Sequence, residues 1–585
     1  MLSALWAEPR PQPSKRQKKG GGWRQQLEAI PEDTAPVFSK MGTGLLKEWA
    51  DGQLSSVKVQ YHAANGKSDG LRNPMVDRLA ALPPGKHAQS GLIAMLEGVG
   101  LKSLQTKVAE YTGENVTHIT LPSTMIRYLF EHHRKAFGTI LGADSNKLRA
   151  FWTDFLRRPL SKQWADQHPF LKEKTPGDLV TTVPITLHTD AGPCAKNTSA
   201  NCVSWSGLLS AGEEKLTKLL AFSHIKKQEH KFDTPAWQKL LDDFDALATG
   251  IVDGTPVAKE GRKTWRFVIM VCKSDEEVRC NEFGLPHWGS SEPCGDCWAN
   301  RTNREYTDLQ ESARWRRTED MPFEAWFERI RRPHHPLVAS HYCCARWVFY
   351  IDLMHLADCK GTSASVFGGV LELLVRMETL GATRQQRLDQ VKAYMTSWYE
   401  EHPGTYRLPD IRLSNLRQDD GWSELHGQTV KAANTRASAP MFVDMVKHFF
   451  TEDSEEHRSV IAICNHVNKV YEIMYASSMF MTAAETAALR TSVLQVGVHW
   501  LVLRESCRTA GILAFKVSPK AHRLQHLPLW SQVLNPRFVQ CYSEESLIGT
   551  TTTIWAKTMN GPYHKTVQEL VLLKRTCGFL CRLEA

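Results

Sequence analysis

No run of about 18 apolar residues occurs anywhere in the chain, so no membrane-spanning helix is expected. The N-terminus carries no apolar core of a secretory signal. The 14 cysteines follow no regular spacing, which argues against a disulfide framework and for reduced intracellular thiols. No Gly-x-x-x-x-Gly-Lys-Ser/Thr loop and no Gly-x-Ser-x-Gly elbow is present. That removes P-loop phosphate chemistry and serine-hydrolase chemistry. No complete zinc finger stands in the N-terminal arm.

What is present points to a large, mildly basic protein. With 585 residues, the chain should hold several domains or one core with large insertions. The 42% hydrophobic content supports a sizeable core. A net charge of +9 permits binding to nucleic acid without requiring it. Residues 1–85 are rich in Pro, Gly, Lys and Ser and read as a disordered basic arm. Its cluster Lys15-Arg16-Gln17-Lys18-Lys19 suits nuclear localisation or phosphate contact. Residues 86–170 read as a helical domain with a basic face from Arg127 to Arg158, open to DNA.

From about residue 180 the period changes to two. Val183, Ile185 and Leu187 alternate towards Asp190, which is read as the strand tip before a Gly-Pro turn. Strands are expected at 202–210, 216–224, 264–272 and 346–352, with an amphipathic helix over 234–249. Three strands, a helix, a fourth strand, an interruption and a fifth strand is the order of a ribonuclease H-like core. Asp190, Asp275 and Asp352 would then leave one sheet edge together, where open α/β sheets place their sites. Residues 171–352 are this core, with a Cys-containing insertion at 276–345. Residues 353–516 read as a helical insertion and 517–585 as the return of the core, with Glu544 and Glu545 at a helix start.

The set Leu-His-Thr-Asp190, Lys-Ser-Asp275, Cys294-x-x-Cys297, Asp352-Leu-Met-His355, Pro519-Lys-x-His522 and Glu544-Glu545-x-x-x-Gly549 resembles the DDE transposases of cut-and-paste DNA elements. The CACTA (En/Spm-like) group is the nearest type. Ser274 stands where that group usually has Gly. The resemblance implies a nuclear protein that cuts and joins double-stranded DNA and works as a homo-oligomer on transposon ends and target. It implies two Mg²⁺ or Mn²⁺ ions on carboxylates, because these hard cations prefer oxygen ligands. Asp190 would bridge them and Glu545 would complete the site, with Glu544 as its alternative. Asp275 and Asp352 compete for the second position. His355, Lys520 and His522 would lie against DNA. The alternative is a catalytically inactive, domesticated scaffold that binds DNA or protein.

Cys294 and Cys297 read as half of a zinc site. Cys280, His287, His341, Cys343 and Cys344 are candidate partners. His522 and His526, four apart, can share a helix face and a metal, or pack locally.

Overall fold

The computed structural model describes residues 39–584 apart from 99–105, 110–115, 213, 226–232, 320, 417–419, 428 and 559–563. Lys15, Arg16, Lys18 and Lys19 lie outside the described residues. The chain divides into two compact units. One comprises Met1–Phe151, Lys174–Met270 and Ser543–Ala585, the other Trp152–Glu173 and Val271–Tyr542. The main elements, in chain order, are α1 (Lys40–Ala50), β1 (Thr182–Ala195), β2 (Thr198–Gly207), β3 (Leu219–Ile225), α2 (Thr234–Thr249), β4 (Arg266–Lys273), α3 (Glu276–Asn281), α4 (Thr362–Leu374), α5 (Glu455–Ala476), α6 (Ala483–Thr509), α7 (Pro519–Leu524), α8 (Tyr542–Thr558) and α9 (His564–Glu584).

The first unit is built on a mixed four-stranded sheet in the order β4-β1-β2-β3. The β1–β2 and β2–β3 pairings are antiparallel. The two faces are covered differently. On one, α2 sets Trp237 edge-on to Phe222 and Phe244 edge-on to Trp205. Such aromatic pairs add about 1 kcal/mol beyond the area they bury. On the other, Ile548 of α8 and Leu572 of α9 pack with Cys202 and Leu220, and Trp555 donates its indole N–H to Ser223 at 3.0 Å. Gly192 permits the close approach of α8 to β1. A Cβ there would meet Ile548 and Thr552 at 2.8 Å.

The span expected for α2 is the span observed. Asp233 caps its start through Ala236 N–H, and Gly250 closes it in the left-handed region at φ 82°. Three expectations need correction. Asp190 is not a strand tip: β1 runs on to Ala195, and the chain turns at Lys196 and Asn197, the latter at φ 61°. Pro193 is tolerated inside the strand because the register breaks between Pro193 and Ala195. The arm expected over 1–85 carries helices from Lys40 onward, including Ser56–Ser68 and Pro74–Ala80. Ser39, Ser55 and Asn73 cap them, and α1 packs on α9, where Arg582 pairs with Asp51. That partner is more than 500 residues away in sequence, so local composition cannot reveal it. The helical stretch 86–170 also contains a two-stranded hairpin, Thr106–Ala109 with Val116–Ile119.

In the second unit, α5 and α6 form a helical hairpin. Ser454 caps one and a Thr482–Glu485 capping box starts the other. The five-stranded core is not reproduced. Arg346–Asp352, expected as the fifth strand, forms one 3-10 turn at Arg346–Val348 and a single parallel bridge from Phe349 to Cys272. Side chains hold this segment instead of a ladder. The Tyr350 hydroxyl donates to the Trp530 and Leu534 carbonyls, and Arg346 donates to the carbonyls of Asp296 and Glu319.

The chain then winds through a π turn, Met354–Asp358. Asp358 is fully buried and accepts hydrogen bonds from Tyr471 and Tyr542. Burial pushes its carboxyl up to about 7, against the opposing effect of the two tyrosine hydroxyls and Arg436. The folded state therefore holds this proton more tightly than the unfolded chain does. Its contribution is present below the unfolded value near 4 and is lost as pH rises through about 7. Asp358→Asn is expected to flatten the fall in thermal stability between pH 5 and 8, a difference of about 3 kcal/mol. Parallel melting curves of both proteins across that range check it.

Candidate functional site

Among the described residues, each unit holds a cluster of metal-binding side chains of its own. In the second unit, Cys294, Cys297, His522 and His526 bring their ligand atoms within 4.8 Å of one another. All four are at most 1% exposed. Cys294 Sγ lies 3.5 Å from His526 Nε2, Cys297 Sγ lies 3.3 Å from His522 Nε2, and the two Nε2 atoms are 3.2 Å apart. Tetrahedral zinc with normal bond lengths spaces nitrogens by roughly 3.3 Å and nitrogen from sulfur by roughly 3.6 Å. The set therefore fits a zinc ion.

The surroundings fit it as well. His522 turns Nδ1 to the Tyr306 carbonyl at 3.1 Å and His526 turns Nδ1 to Glu319 at 3.4 Å. Both rings are thereby oriented with Nε2 inward, the usual outer-shell arrangement of ligating histidines. The backbone N–H groups of Asp296 and Ala299 point at the two sulfurs, at 3.3 and 3.4 Å. Arg329 clamps the loop by donating to the carbonyls of Cys294 and Cys297. Trp315 packs edge-on to both imidazoles. Burial pushes the Cys294 thiol up to about 11. A bound cation would reverse that by ionising the thiol, so uptake releases protons. Four protein ligands and no exposed face would suit a structural ion better than a catalytic one, which keeps an open position.

His522 was expected against DNA. It is 1% exposed and turned into the cysteine cluster. The other candidate partners lie elsewhere. Cys280 donates to the Pro286 carbonyl, His287 stacks on Trp288, His341 packs on Phe170 and Tyr342, and Cys343 and Cys344 sit outside the cluster.

In the first unit, His188, Asp190 and Glu545 gather their ligand atoms within 4.8 Å. His188 and Asp190 are two apart on β1 and so share a face. His188 is 2% and Asp190 8% exposed. Glu545 arrives on the first turn of α8. The neighbouring Glu544 is turned away. It is 1% exposed and paired with Lys218 at 3.0 Å. Helix phase thus separates the two glutamates: Glu545 joins Asp190, and Glu544 anchors the helix. His188 was not among the expected site residues. Its signal was the two-residue spacing from Asp190.

Asp275 and Asp352 both belong to the second unit. Asp352 is consumed internally. Its carboxylate accepts from the N–H groups of Met354, His355 and Cys541 and meets His355 Nδ1 at 2.6 Å. Burial alone would raise its pKa, but His355 and these N–H groups hold it below the ordinary value. Asp275 caps α3 through Val278 N–H at 2.7 Å and lines a cavity of about 360 Å³ with His355 and Lys520. Lys520 also donates to the carbonyls of Cys359 and Lys360. The basic face expected over 127–158 is partly spent on local pairs. Arg134 sits over Phe130 and pairs with Glu260, and Arg157 pairs with Asp154.

Purified protein is expected to carry about one zinc per chain at the Cys-His cluster. Metal analysis by mass spectrometry checks this, with His526→Ala losing the zinc and Cys343→Ser retaining it.

No protein-family model and no curated protein matches this chain, so any functional assignment rests on the residues described above.

Proposed function

We propose that this protein cuts and joins DNA as a transposase-type enzyme, using divalent cations at His188, Asp190 and Glu545. The observation that carries the reading is the meeting of Asp190 with Glu545, two carboxylates from widely separated parts of the chain, beside a histidine in one largely buried cluster. Two carboxylates this close repel unless a proton or a cation lies between them. A divalent cation there would supply Lewis-acid stabilisation and an activated water or 3′-hydroxyl. Asp190 and Glu545 provide the charge that holds it. His188 adds a nitrogen donor, which suits Mn²⁺ at least as well as Mg²⁺.

The Cys294, Cys297, His522 and His526 set ties the Cys-containing insertion to α7 through zinc, which gives the second unit its rigidity. DNA as substrate, a nuclear location and a homo-oligomeric state belong to the same reading, supported by the net charge of +9 and the Lys15–Lys19 cluster. A second reading is a zinc-braced scaffold without catalysis. It draws support from Asp352 and Glu544, two of the expected carboxylates that are spent on internal bonds.

Nicking of supercoiled DNA in Mn²⁺ or Mg²⁺ separates the readings. Asp190→Ala and Glu545→Gln are each expected to lower the rate by at least ~100-fold, with Asp242→Ala, on the exposed face of α2, unchanged. Asp275→Ala in the same assay tests the second carboxylate. Equal nicking by all four proteins would refute the enzymatic reading.

A further inference from the structure

The cavity lined by Asp275 and His355 is also lined by residues that the proposed chemistry does not use. Trp288, Trp422 and Glu424 stand there, with Lys360 and Lys516. Its volume of about 360 Å³ lies within the ~300–1,000 Å³ range of small-molecule sites. Trp288 is 39% exposed and stacks on His287 with ring centroids 3.8 Å apart. Lys516 sits 5.8 Å from the Trp422 ring centroid and pairs with Asp420 at 2.7 Å.

Glu424 is the informative residue. Its Oε1 is buried and has no hydrogen-bond partner. Leaving such a group unsatisfied is costly. Yet its backbone is fixed from three sides. Ser423 N–H donates to Leu513, Glu424 N–H to Leu416 and Leu425 N–H to Ala364, at 2.8, 3.1 and 2.9 Å. Gly368 of α4 makes room for this segment. A Cβ there would lie 2.5 Å from Glu424 Cα and 2.4 Å from Leu425 N. A segment held this firmly positions a carboxyl group whose Oε1 meets no hydrogen-bond partner within the protein. Burial raises that carboxyl above its ordinary value, with Lys520, His426 and Lys360 opposing the shift.

We propose that this cavity binds a guanine nucleotide, with the base against Trp288 and Trp422, its N1–H and N2–H₂ edge donating to Glu424, and its phosphate near Lys360 and Lys516. Guanine is the base whose edge offers two adjacent donors to the two oxygens of a carboxylate. Adenine and cytosine offer one amino group each, and thymine one imino. Aromatic rings supply stacking that any base can use, and the carboxylate supplies the choice among bases. The guanine comes either as a free nucleotide or as a base drawn out of a DNA strand. The second source rests on the function proposed above. The first does not.

Tryptophan fluorescence titration of the full chain with dGMP, dIMP, dAMP and dCMP tests the site. dGMP is expected to bind. dIMP, which lacks the 2-amino group, should bind about 10-fold more weakly, and dAMP more weakly still. Glu424→Gln should abolish the preference for guanine while weak binding of all four persists. Trp422→Ala should weaken all four alike. Equal affinities for dGMP and dAMP, or an unchanged guanine preference in Glu424→Gln, would overturn the proposal. Circular dichroism confirms that the variants fold. Comparing GTP with a duplex carrying one unpaired guanine identifies the source, and tighter binding of either supports the site. Guanine selectivity without DNA nicking would refute the proposed enzyme and leave this pocket standing.

Discussion

A charge taken out of water must meet its opposite, and this constraint shapes both units. In the first, Glu544 is buried and pairs with Lys218, which pins the start of α8. In the second, Asp296 lies against Arg523, and Glu372 accepts from Arg376 and Arg384. Asp352 is met by His355 and three backbone N–H groups. At His188, Asp190 and Glu545 the same constraint takes another form. Two carboxylates and an imidazole are gathered within 4.8 Å, a composition that suits a cation site.

The long-range closure of the chain makes that gathering possible. α8 and α9, at the far end of the sequence, cover the sheet that begins with β1. Gly192 lets α8 come close enough for Glu545 to reach Asp190. In the second unit the zinc-type cluster does similar work. It brings a loop at 294–297 against α7 and His526, two residues past its end, over a separation of more than 200 residues. A metal there would stand in for the regular secondary structure that the insertion largely lacks, since one ion fixes four side chains at once.

Elements with strong local signals were legible in the sequence. The bounds of α2 and α5 follow from Asp233, Gly250 and Ser454, whose capping chemistry acts within a few residues. β1 and β4 follow from alternation and apolar runs. Arg346–Asp352 misled because a buried apolar segment looks the same whether a ladder or side chains hold it. Tyr350, bonded to two distant carbonyls, decides the matter. Local spacing marked Cys294 with Cys297 as a half-site and left His522 with His526 open between a shared metal and local packing, and only the fold brings the two pairs together. The assignment of Glu545 over Glu544 needed the phase of α8, which neighbouring identical residues cannot disclose. His188 shared the face of Asp190 in the alternation, and only the arrival of α8 gives that face a purpose.

The claim at the centre is that His188, Asp190 and Glu545 hold one divalent cation. Iron-directed backbone cleavage tests it without reference to any activity. Fe²⁺ with ascorbate generates hydroxyl radicals that cut the chain next to the bound metal. Paired cuts around residues 188–190 and 545, suppressed by excess Mn²⁺ and absent in Asp190→Ala, are the expected result. Cuts confined to 294–297 and 522–526, or an unchanged pattern in Asp190→Ala, would contradict it.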